Sequence, residues 1–547
     1  MARARGGAGR AGGDLLRVAL SAALLTLSLP PHDLHLLAWV ALVPVLAGIG
    51  SGSRLRAFWL LFATCYVFDF AHASWMLGIE GITVLNMAVP VLLHAGYFGG
   101  FGLVARALQR RQPRWAPLSF PAAWVVFEYM RFHLGFLSFP WGVLAYSQYA
   151  VLPVAGLAAY TGVHGVSFLI VAVNAALAAG IDASRRSPGF ARRLPAGIPR
   201  ALGAGALAAG AFAALAAALP SGSGSDAPRM LRVALVQSDA RSPGDARSLG
   251  VAGSAARDAP FERLAALTRQ VAASRPGLIA WPESSLRGRL PYDRALERDL
   301  GSLARAAGSY LLVGSSGRDK RASGRQRTRS ANSAFLFAPD GQPAGRYDKM
   351  LLLPFNEYLP LRGRLRWPSW IVGDVTDAVP GDERTIFRAG SARFGVLICW
   401  ENLFPEAFRR SAARGVDFMV SMTNEAFITS PAAHYQMLAM NVFRAIENRV
   451  AIVRTATTGV SAVVDPSGRI TARLRDADGS DVNAVGVLAA EVVLSAERSF
   501  YTRHGDWFVA ACAVGLAAAG ALAFWPRRET PALRARASAA RFEPASR

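Results

Sequence analysis

Eight apolar runs, each about twenty residues long, constrain the fold of this 547-residue chain more than any other feature. A helix needs about 20 residues to cross a hydrocarbon core ~30 Å thick, so each run is long enough to span a membrane. With 52% hydrophobic residues, the chain is also too apolar for a typical soluble protein. We therefore predict a polytopic α-helical membrane domain of about eight spans, at about residues 14–31, 34–51, 56–78, 82–107, 116–133, 160–183, 198–219 and 506–526.

The charges between these runs predict how the chain is oriented. Arginines cluster before span one and after spans two, four and six, whereas the first two alternate loops carry only Asp33 and Glu80. Because cytoplasmic loops carry an excess of basic residues, both termini are predicted to be cytoplasmic and the segment after Pro220 extracytoplasmic. Topology thus accounts for much of the net charge of +23, and we expect no nucleic-acid partner. We expect span one to be retained rather than cleaved as a signal peptide, because further spans follow it closely.

The region 116–160 allows more than one topology, including one span followed by a re-entrant segment on the outer side. Glu128 and Arg131 are three residues apart in it and can share a helix face. Ionisable residues at membrane depth mark either a functional site or a structural pair that holds helices together. The sequence leaves both interpretations open.

A flexible linker, Ser221-Gly-Ser-Gly-Ser, divides the chain, and its composition changes after it. Strand-like runs then alternate with helical patterns, which predicts a layered α/β domain. The boundaries are a transmembrane domain at 1–220 with about seven spans, a linker at 221–228, an extracytoplasmic α/β domain at 229–495, a C-terminal span at 496–526 and a basic tail at 527–547. Strands are predicted at 231–238, 277–281, 310–314, 334–337, 394–399, 417–421, 450–455 and 461–465, helices near 260–274, 293–307, 404–414 and 435–448, and a surface loop at 318–329.

Three segments of the α/β domain lead into reactive groups. One apolar run leads into Glu283, a second segment holds Lys349 in an apolar setting, and a third run ends on Cys399. Ligand chemistry in α/β sheets gathers beyond the carboxyl ends of the strands, so their shared placement favours a catalytic set. Taken alone, a cysteine is more often a buried hydrophobe and each charge a surface residue. The other cysteines, Cys65 and Cys512, lie far away in apolar runs, so neither a disulfide framework nor a zinc cluster is predicted.

Such a set can activate a thiol. A thiol with a pKa near 8.5 is only a few per cent ionised at neutral pH, and a base or a positive charge beside it raises the thiolate fraction. Glu283 can take the proton, and Lys349 can favour the thiolate and stabilise an oxyanion. Glu357 and Glu401 are candidates for holding Lys349 and shaping the site.

Three motifs resemble those of the nitrilase (carbon–nitrogen hydrolase) superfamily: Trp281-Pro-Glu283, Tyr347-Asp-Lys349 with Pro354-Phe-Asn-Glu357, and Ile398-Cys-Trp-Glu401. With about seven spans before this domain and one after it, the whole chain resembles the apolipoprotein N-acyltransferase family. The resemblance implies an αββα sandwich with Glu283 as general base, Lys349 as the oxyanion-stabilising residue and Cys399 as nucleophile. Supporting roles are implied for Glu357 and Glu401, and are expected for Trp281, Trp400 and Asn424. Two positions depart from the family pattern, Trp400 in place of the common tyrosine and Glu425 in place of the common Asn-Asp.

The resemblance also implies a two-step acyl transfer in a bacterial inner membrane. Cys399 takes an acyl chain from a membrane phospholipid as a thioester, and the α-amino group of a diacylglyceryl-cysteine lipoprotein receives it. No metal, organic cofactor or obligate protein partner is expected. There are two alternative functions. One is a membrane-tethered amidase or nitrilase with the same triad, although eight spans are more than anchoring requires. The other is a catalytically inert lipoprotein-binding or transport protein, although the intact triad argues against it.

A basic and aromatic segment is predicted to lie in the headgroup zone, where tryptophan is favoured and arginine can meet phosphate. We expect it either to hold the phospholipid or to gate its entry; the alternative is a loop anchored at the interface without touching substrate. The candidate lipid-contact residues are Arg364, Arg366, Trp367, Trp370 and, in the membrane half, Trp141.

Overall fold

The structure is a computed structural model that describes residues 2–50, 52–111, 116–186, 229–238, 254–286, 290–319, 329–368, 371–372, 375, 377–495 and 497–524. The predicted span at 198–219, the linker 221–228 and the basic tail 527–547 lie outside these residues.

The N-terminal part of the chain is helical. In the part of the chain that the structure describes, three helical segments are long and apolar enough to cross a membrane, at Arg10–Ser28, Val84–Arg111 and Val163–Asp182. The helices are α1 (Ala2–Ser28), α2 (Val43–Ile49), α3 (Arg54–His72), α4 (Val84–Arg111), α5 (Ala116–Met130), α6 (Leu152–Ala155), α7 (Ala158–Thr161) and α8 (Val163–Arg186).

The predicted count of eight spans is not confirmed. The run 34–51 is not one helix but a 3-10 turn at His35–Trp39 followed by α2. Pro44 lies in the first turn of α2, where proline can begin a helix but cannot continue one from the residues before it. In the region 116–160, α5 ends at Met130 and is followed by 3-10 turns and the short helices α6 and α7. This fits the interpretation of one helix followed by a segment that does not span.

Glu128 and Arg131 do not form an ion pair with each other among the described residues. Arg131 Nη2 lies 3.2 Å from Asp69 Oδ1 of α3. Glu128 accepts hydrogen bonds from the Leu144 amide and lies 3.2 Å from His164 Nδ1 of α8. Each charge therefore joins α5 to a different part of the membrane half, which favours the structural interpretation.

Among the described residues, the C-terminal part forms two six-stranded sheets; with the strands numbered β1 to β12 in chain order, as bounded below, their orders are β12-β1-β2-β3-β4-β5 and β11-β10-β9-β8-β7-β6. Strands β1 to β3 and β7 to β9 run parallel at the centres of the sheets. The strands are β1 (Met230–Gln237), β2 (Leu278–Ala280), β3 (Tyr310–Asp319), β4 (Arg329–Phe337), β5 (Pro343–Asp348), β6 (Ile386–Ala389), β7 (Ala392–Ile398), β8 (Phe418–Thr423), β9 (Ala451–Ala456), β10 (Ala462–Val464), β11 (Ile470–Arg473) and β12 (Gly486–Val493). The helices are α9 (Ser254–Ala272), α10 (Arg294–Ala307), α11 (Pro405–Ala412), α12 (Pro431–Asn448), α13 (Phe500–His504) and α14 (Trp507–Phe524).

The layers of this domain follow from which strand faces are apolar. Side chains such as Leu278, Phe394 and Val420 fill a core between the two sheets. Helices α9 and α10 cover the outer face of the first sheet. The central strands β8 and β9 are buried at every position, so both of their faces are covered and their burial does not alternate. The predicted nitrilase-like α/β fold is confirmed.

The strands that were not predicted are β5, β6, β11 and β12. Strand β12 pairs with β1 along its whole length, but most of its side chains are partly or fully exposed, so it lacks a buried apolar run. Part of the predicted loop at 318–329 is also strand, because β3 continues to Asp319 and pairs with β4 from Arg329 onward. Residues 320–328 lie outside the description.

Helix α12 joins the α/β domain to the membrane half. Gln436 accepts a hydrogen bond from Trp141 Nε1 at 2.5 Å and donates to the His72 carbonyl of α3. About two turns further on, Arg444 Nε lies 3.0 Å from Glu447 Oε2, and both side chains are fully buried. Glu447 also accepts from the Val163 amide at the start of α8. A single apolar core extends from the second sheet through α12 into the membrane helices.

Replacing Arg444 with methionine (R444M) is expected to destabilise the protein by ~3–5 kcal/mol, because Glu447 is left as an uncompensated buried charge. Chemical unfolding of the detergent-purified chain measures this. R410M is the matched control, since Arg410 pairs with Glu406 at the surface and is expected to contribute ~1 kcal/mol or less. Equal effects of the two substitutions would contradict this role for α12.

Candidate active site

Glu283, Lys349 and Cys399 meet where strands from both sheets end. Glu283 follows β2 after a Trp-Pro turn, Lys349 follows β5 directly, and Cys399 follows β7 directly. The turn at Glu283 lies against β3, where a Cβ on Gly314 would come within 2.8 Å of Glu283 Cα. Only glycine permits this close approach of two backbones.

Glu283 is 6% exposed and receives neutral hydrogen-bond donors on both oxygens. Asn332 Nδ2 donates to Oε1 at 2.7 Å, and the Asn424 amide donates to Oε2 at 2.7 Å. Burial raises the pKa of Glu283, while Lys349 and these two donors oppose that rise. The net effect is a raised pKa, so the Glu283 carboxylate is a stronger base than an exposed glutamate.

Lys349 is 1% exposed and lies between two carboxylates. Its Nζ is 2.8 Å from Glu357 Oε2 and 4.0 Å from Glu283 Oε1. Burial lowers the pKa of Lys349, but the Cys399 thiolate, once it forms, and the Glu357 and Glu283 carboxylates outweigh burial and raise it. The lysine therefore stays protonated and acts as a fixed positive charge rather than as a base.

Cys399 is the one member of the set that is partly exposed. Burial and the Glu283 charge raise the pKa of its thiol, whereas Lys349 lowers it. The resting sulfur therefore carries its proton. Its backbone φ is +52°, an uncommon conformation for a residue with a side chain, and Asn402 Nδ2 donates to the Leu397 and Cys399 carbonyls around this turn.

Glu401 is buried but fixes the backbone rather than Lys349. Its carboxylate accepts from the amides of Ile398, Met350 and Leu351 and from the Tyr347 hydroxyl. It thereby ties the turn that carries Cys399 to the one that carries Lys349. Glu357 is the carboxylate that contacts Lys349.

The other predicted supporting residues lie at different distances from the chemistry. The Asn424 amide contacts Glu283, as described above. Trp281 points away into the outer core, where its Nε1 donates to Thr268 of α9 at 2.9 Å. Trp400 packs between Phe404 and Phe139 of the membrane half, with ring centroids 5.5 and 6.4 Å apart.

The lipid-contact candidates are also dispersed. Arg364 and Arg366 are exposed. Trp367 packs against Phe355 and against Phe136 of the membrane half, with ring centroids 4.9 and 6.1 Å apart. Trp141 is 2% exposed and bonded to Gln436, so it lies inside the protein, and Trp370 lies outside the described residues.

Asn332 is a site residue that the sequence analysis missed. Its Nδ2 donates both to Glu283 Oε1 and to Glu357 Oε1, at 2.7 and 3.1 Å. It also accepts the Lys349 amide through its own carbonyl at 2.8 Å. It lies within β4 rather than at a strand end, and no local sequence signal marks it.

A sequence model of the carbon–nitrogen hydrolase family matches residues 232–501. Together with the two sheets, this match places the chain in the carbon–nitrogen hydrolase superfamily. A model of the apolipoprotein N-acyltransferase N-terminal domain matches residues 21–176.

Relatives match along nearly the whole chain. The apolipoprotein N-acyltransferase of Geobacter metallireducens is 34% identical over 528 residues, which cover 93% of this chain and 95% of that protein. Apolipoprotein N-acyltransferase 1 of Treponema pallidum is 30% identical, covering 90% of this chain and 92% of its own. A crystal structure of the carbon–nitrogen hydrolase from Helicobacter pylori is 20% identical, covers 51% of this chain and 94% of its own, and has a TM-score of 0.36. The chain belongs to the apolipoprotein N-acyltransferase family, whose members are membrane acyltransferases of lipoprotein biosynthesis.

Asn332 can be tested by replacement with leucine of similar size (N332L). Loss of the donor shared by Glu283 and Glu357 is expected to raise the pKa of Glu283. The midpoint of the acid limb of Cys399 alkylation by iodoacetamide should therefore rise by about one pH unit, since a hydrogen bond to a charged group is worth about 1.5–3 kcal/mol. N441L is the control, because Asn441 is also buried but bonds only within α12 among the described contacts. A midpoint unchanged in N332L would show that the Asn332 bridge does not tune the base.

Proposed function

We propose that this chain transfers an acyl chain from a membrane phospholipid to the N-terminal α-amino group of a diacylglyceryl-cysteine lipoprotein, through a thioester on Cys399. The observation that carries this proposal is the position of the site. The turn that bears Cys399 adjoins, through Trp400 and Phe139, the apolar helical half of the chain. A lipid acyl chain therefore has an apolar path to the sulfur.

In the first step Glu283 takes the Cys399 proton as the sulfur attacks the ester carbonyl carbon of the phospholipid. Lys349 stabilises the negative oxygen of the tetrahedral intermediate. The ester C–O bond then breaks, and the proton held by Glu283 passes to the leaving glycerol oxygen. The products are a lysophospholipid and a thioester.

In the second step the lipoprotein amine attacks the thioester carbonyl. Glu283 takes a proton from the attacking nitrogen and returns one to the departing sulfur, so that the amide forms and the thiol is restored. A thioester is activated toward amines, which makes it a suitable carrier between the two lipids.

The membrane arrangement follows from both substrates being lipids. We propose that the chain lies in a bacterial inner membrane with its N- and C-termini on the cytoplasmic side and its catalytic domain, residues 229–495, on the outer side. About seven spans then lie within residues 1–220, followed by a linker at 221–228. A last span lies within 496–526 and is followed by a basic tail at 527–547. The candidate spanning helices and the arginine pattern support this arrangement.

The exposed loop with Arg364 and Arg366 supplies positive charge near the aromatic contact of Trp367 with the membrane half. We propose that this loop binds the phosphate of the donor headgroup. Arg362 is engaged with Asp377 and is not part of this assignment.

The thioester step can be tested with phospholipid that carries a labelled acyl chain. The purified chain is expected to acquire label on Cys399 that neutral hydroxylamine releases, and C399A to acquire none. E283Q is expected to label about 10²–10⁴-fold more slowly, because the general base is lost. Equal labelling of C399A, or no labelling of the folded wild type, would exclude this mechanism.

The headgroup assignment can be tested separately. Replacing Arg364 and Arg366 with glutamine is expected to raise the phospholipid concentration needed for half-maximal labelling by roughly 5–30-fold, if each contact is worth about 1 kcal/mol. The limiting rate is expected to stay within about twofold. R298Q on the exposed face of α10 is the control, and kinetics of the double variant that match this control would refute the assignment.

A further inference from the structure

The loop after β8 carries a buried ion network that the proposed reaction does not use. Glu425 is 1% exposed. One of its oxygens accepts from Arg454 Nη2 of β9, and the other lies 2.6 Å from His434 Nδ1 of α12. Gly459 packs so closely that a Cβ there would overlap Glu425 Oε2. Glu425 is thus held from three sides.

The residue before it, Asn424, is the one whose amide donates to Glu283 Oε2 at 2.7 Å. The Glu425 carbonyl accepts the Ile428 amide at 2.9 Å, so the backbone is fixed on the other side as well. We propose that Glu425 is a positioning residue for the general base, and that its contacts with Arg454 and His434 hold the Asn424 N–H against Glu283. The inference rests on the proposed role of Glu283 as base.

Two effects of Glu425 can be separated because they have opposite signs. The Asn424 N–H lowers the pKa of Glu283, so a misplaced amide raises it. The Glu425 charge itself raises the pKa of Cys399, so its removal lowers that pKa. Burial raises the pKa of Glu425, but Arg454 and His434 bring it down to about 2, and it is therefore ionised throughout the working range. The other charged groups that face Glu283 and Cys399 are Lys349 and Glu357.

The test is the pH dependence of Cys399 alkylation by iodoacetamide in the full-length purified chain, with C399A giving the background. E425Q removes the charge, and E425D keeps it on a side chain too short to reach both Arg454 and His434. In both variants the midpoint of the acid limb is expected to rise by about one pH unit, the size of one charge-assisted hydrogen bond. A midpoint that falls in E425Q and stays in E425D would show that Glu425 acts only through its charge, and an unmoved midpoint in both would likewise overturn the proposal.

D481N is the matched control. Asp481 is buried and pairs with Arg473 and Tyr435, and no described contact joins it to Glu283, Asn424 or Cys399. The midpoint of the acid limb in D481N is expected to match that of the wild type. A shift in D481N equal to that of the Glu425 variants would mean that these substitutions only loosen the domain.

H434Q is the substitute test if thermal unfolding shows that the Glu425 variants fold poorly. It removes the His434 contact while Glu425 keeps its own charge, and the midpoint of the acid limb is expected to rise as in the Glu425 variants. An unmoved midpoint in folded H434Q would overturn the proposal. Because alkylation requires no lipid, failure of phospholipid labelling and failure of this inference are distinguishable.

Discussion

The buried ion group of Lys349 with Glu357 and Glu283 is the interaction on which the site depends. An unpaired ammonium at 1% exposure is too costly to bury, so the lysine needs at least one carboxylate, and Glu357 at 2.8 Å supplies it. Glu283, at 4.0 Å, is left free to change its protonation state. Transfer of the thiol proton to Glu283 then moves one negative charge from the Glu283 carboxylate to the Cys399 sulfur, and the total charge of the site does not change. In a desolvated pocket, this transfer avoids the cost of creating a new buried charge.

Other described contacts to these carboxylates come from neutral donors. Asn332, the Asn424 amide and the Leu353 amide stabilise Glu283 and Glu357 without adding charge. Amide donors are effective only if their loops are held in place, since a hydrogen bond weakens steeply with distance and angle. Glu401 performs this task for the turns on either side of Lys349 and Cys399, through four donors. The accuracy of the site therefore depends on buried carboxylates that take no part in proton transfer.

Strand-end chemistry was predictable from the sequence because an apolar run that ends on a reactive group is a local pattern. Glu283, Lys349 and Cys399 share it, and the structure brings them together. Asn332 lies within a strand, and only the pairing of β4 with β5 brings it to Lys349, so no local pattern could reveal it. Trp281 shares a motif with Glu283, but the turn at Pro282 between them directs Trp281 toward α9 and Glu283 toward the site. The run at 34–51 was misjudged because composition alone does not register how Pro44 interrupts a helix.

The position of Cys399 bears on how an acyl-enzyme would favour an amine over water. Glu283 and Lys349 are almost fully buried, whereas Cys399 is partly exposed and directly precedes Trp400, whose ring contacts Phe139 of the membrane half. An acyl chain on that sulfur would lie along an apolar wall that gives water no hydrogen-bond partners on that side. Under the proposed function, a lipid-anchored amine would reach the same place by diffusion in the bilayer plane, at an effective concentration far above that of a soluble acceptor. Superfamily enzymes that hydrolyse and those that transfer can thus share one triad, and the outcome depends on which nucleophile the surroundings of Cys399 admit.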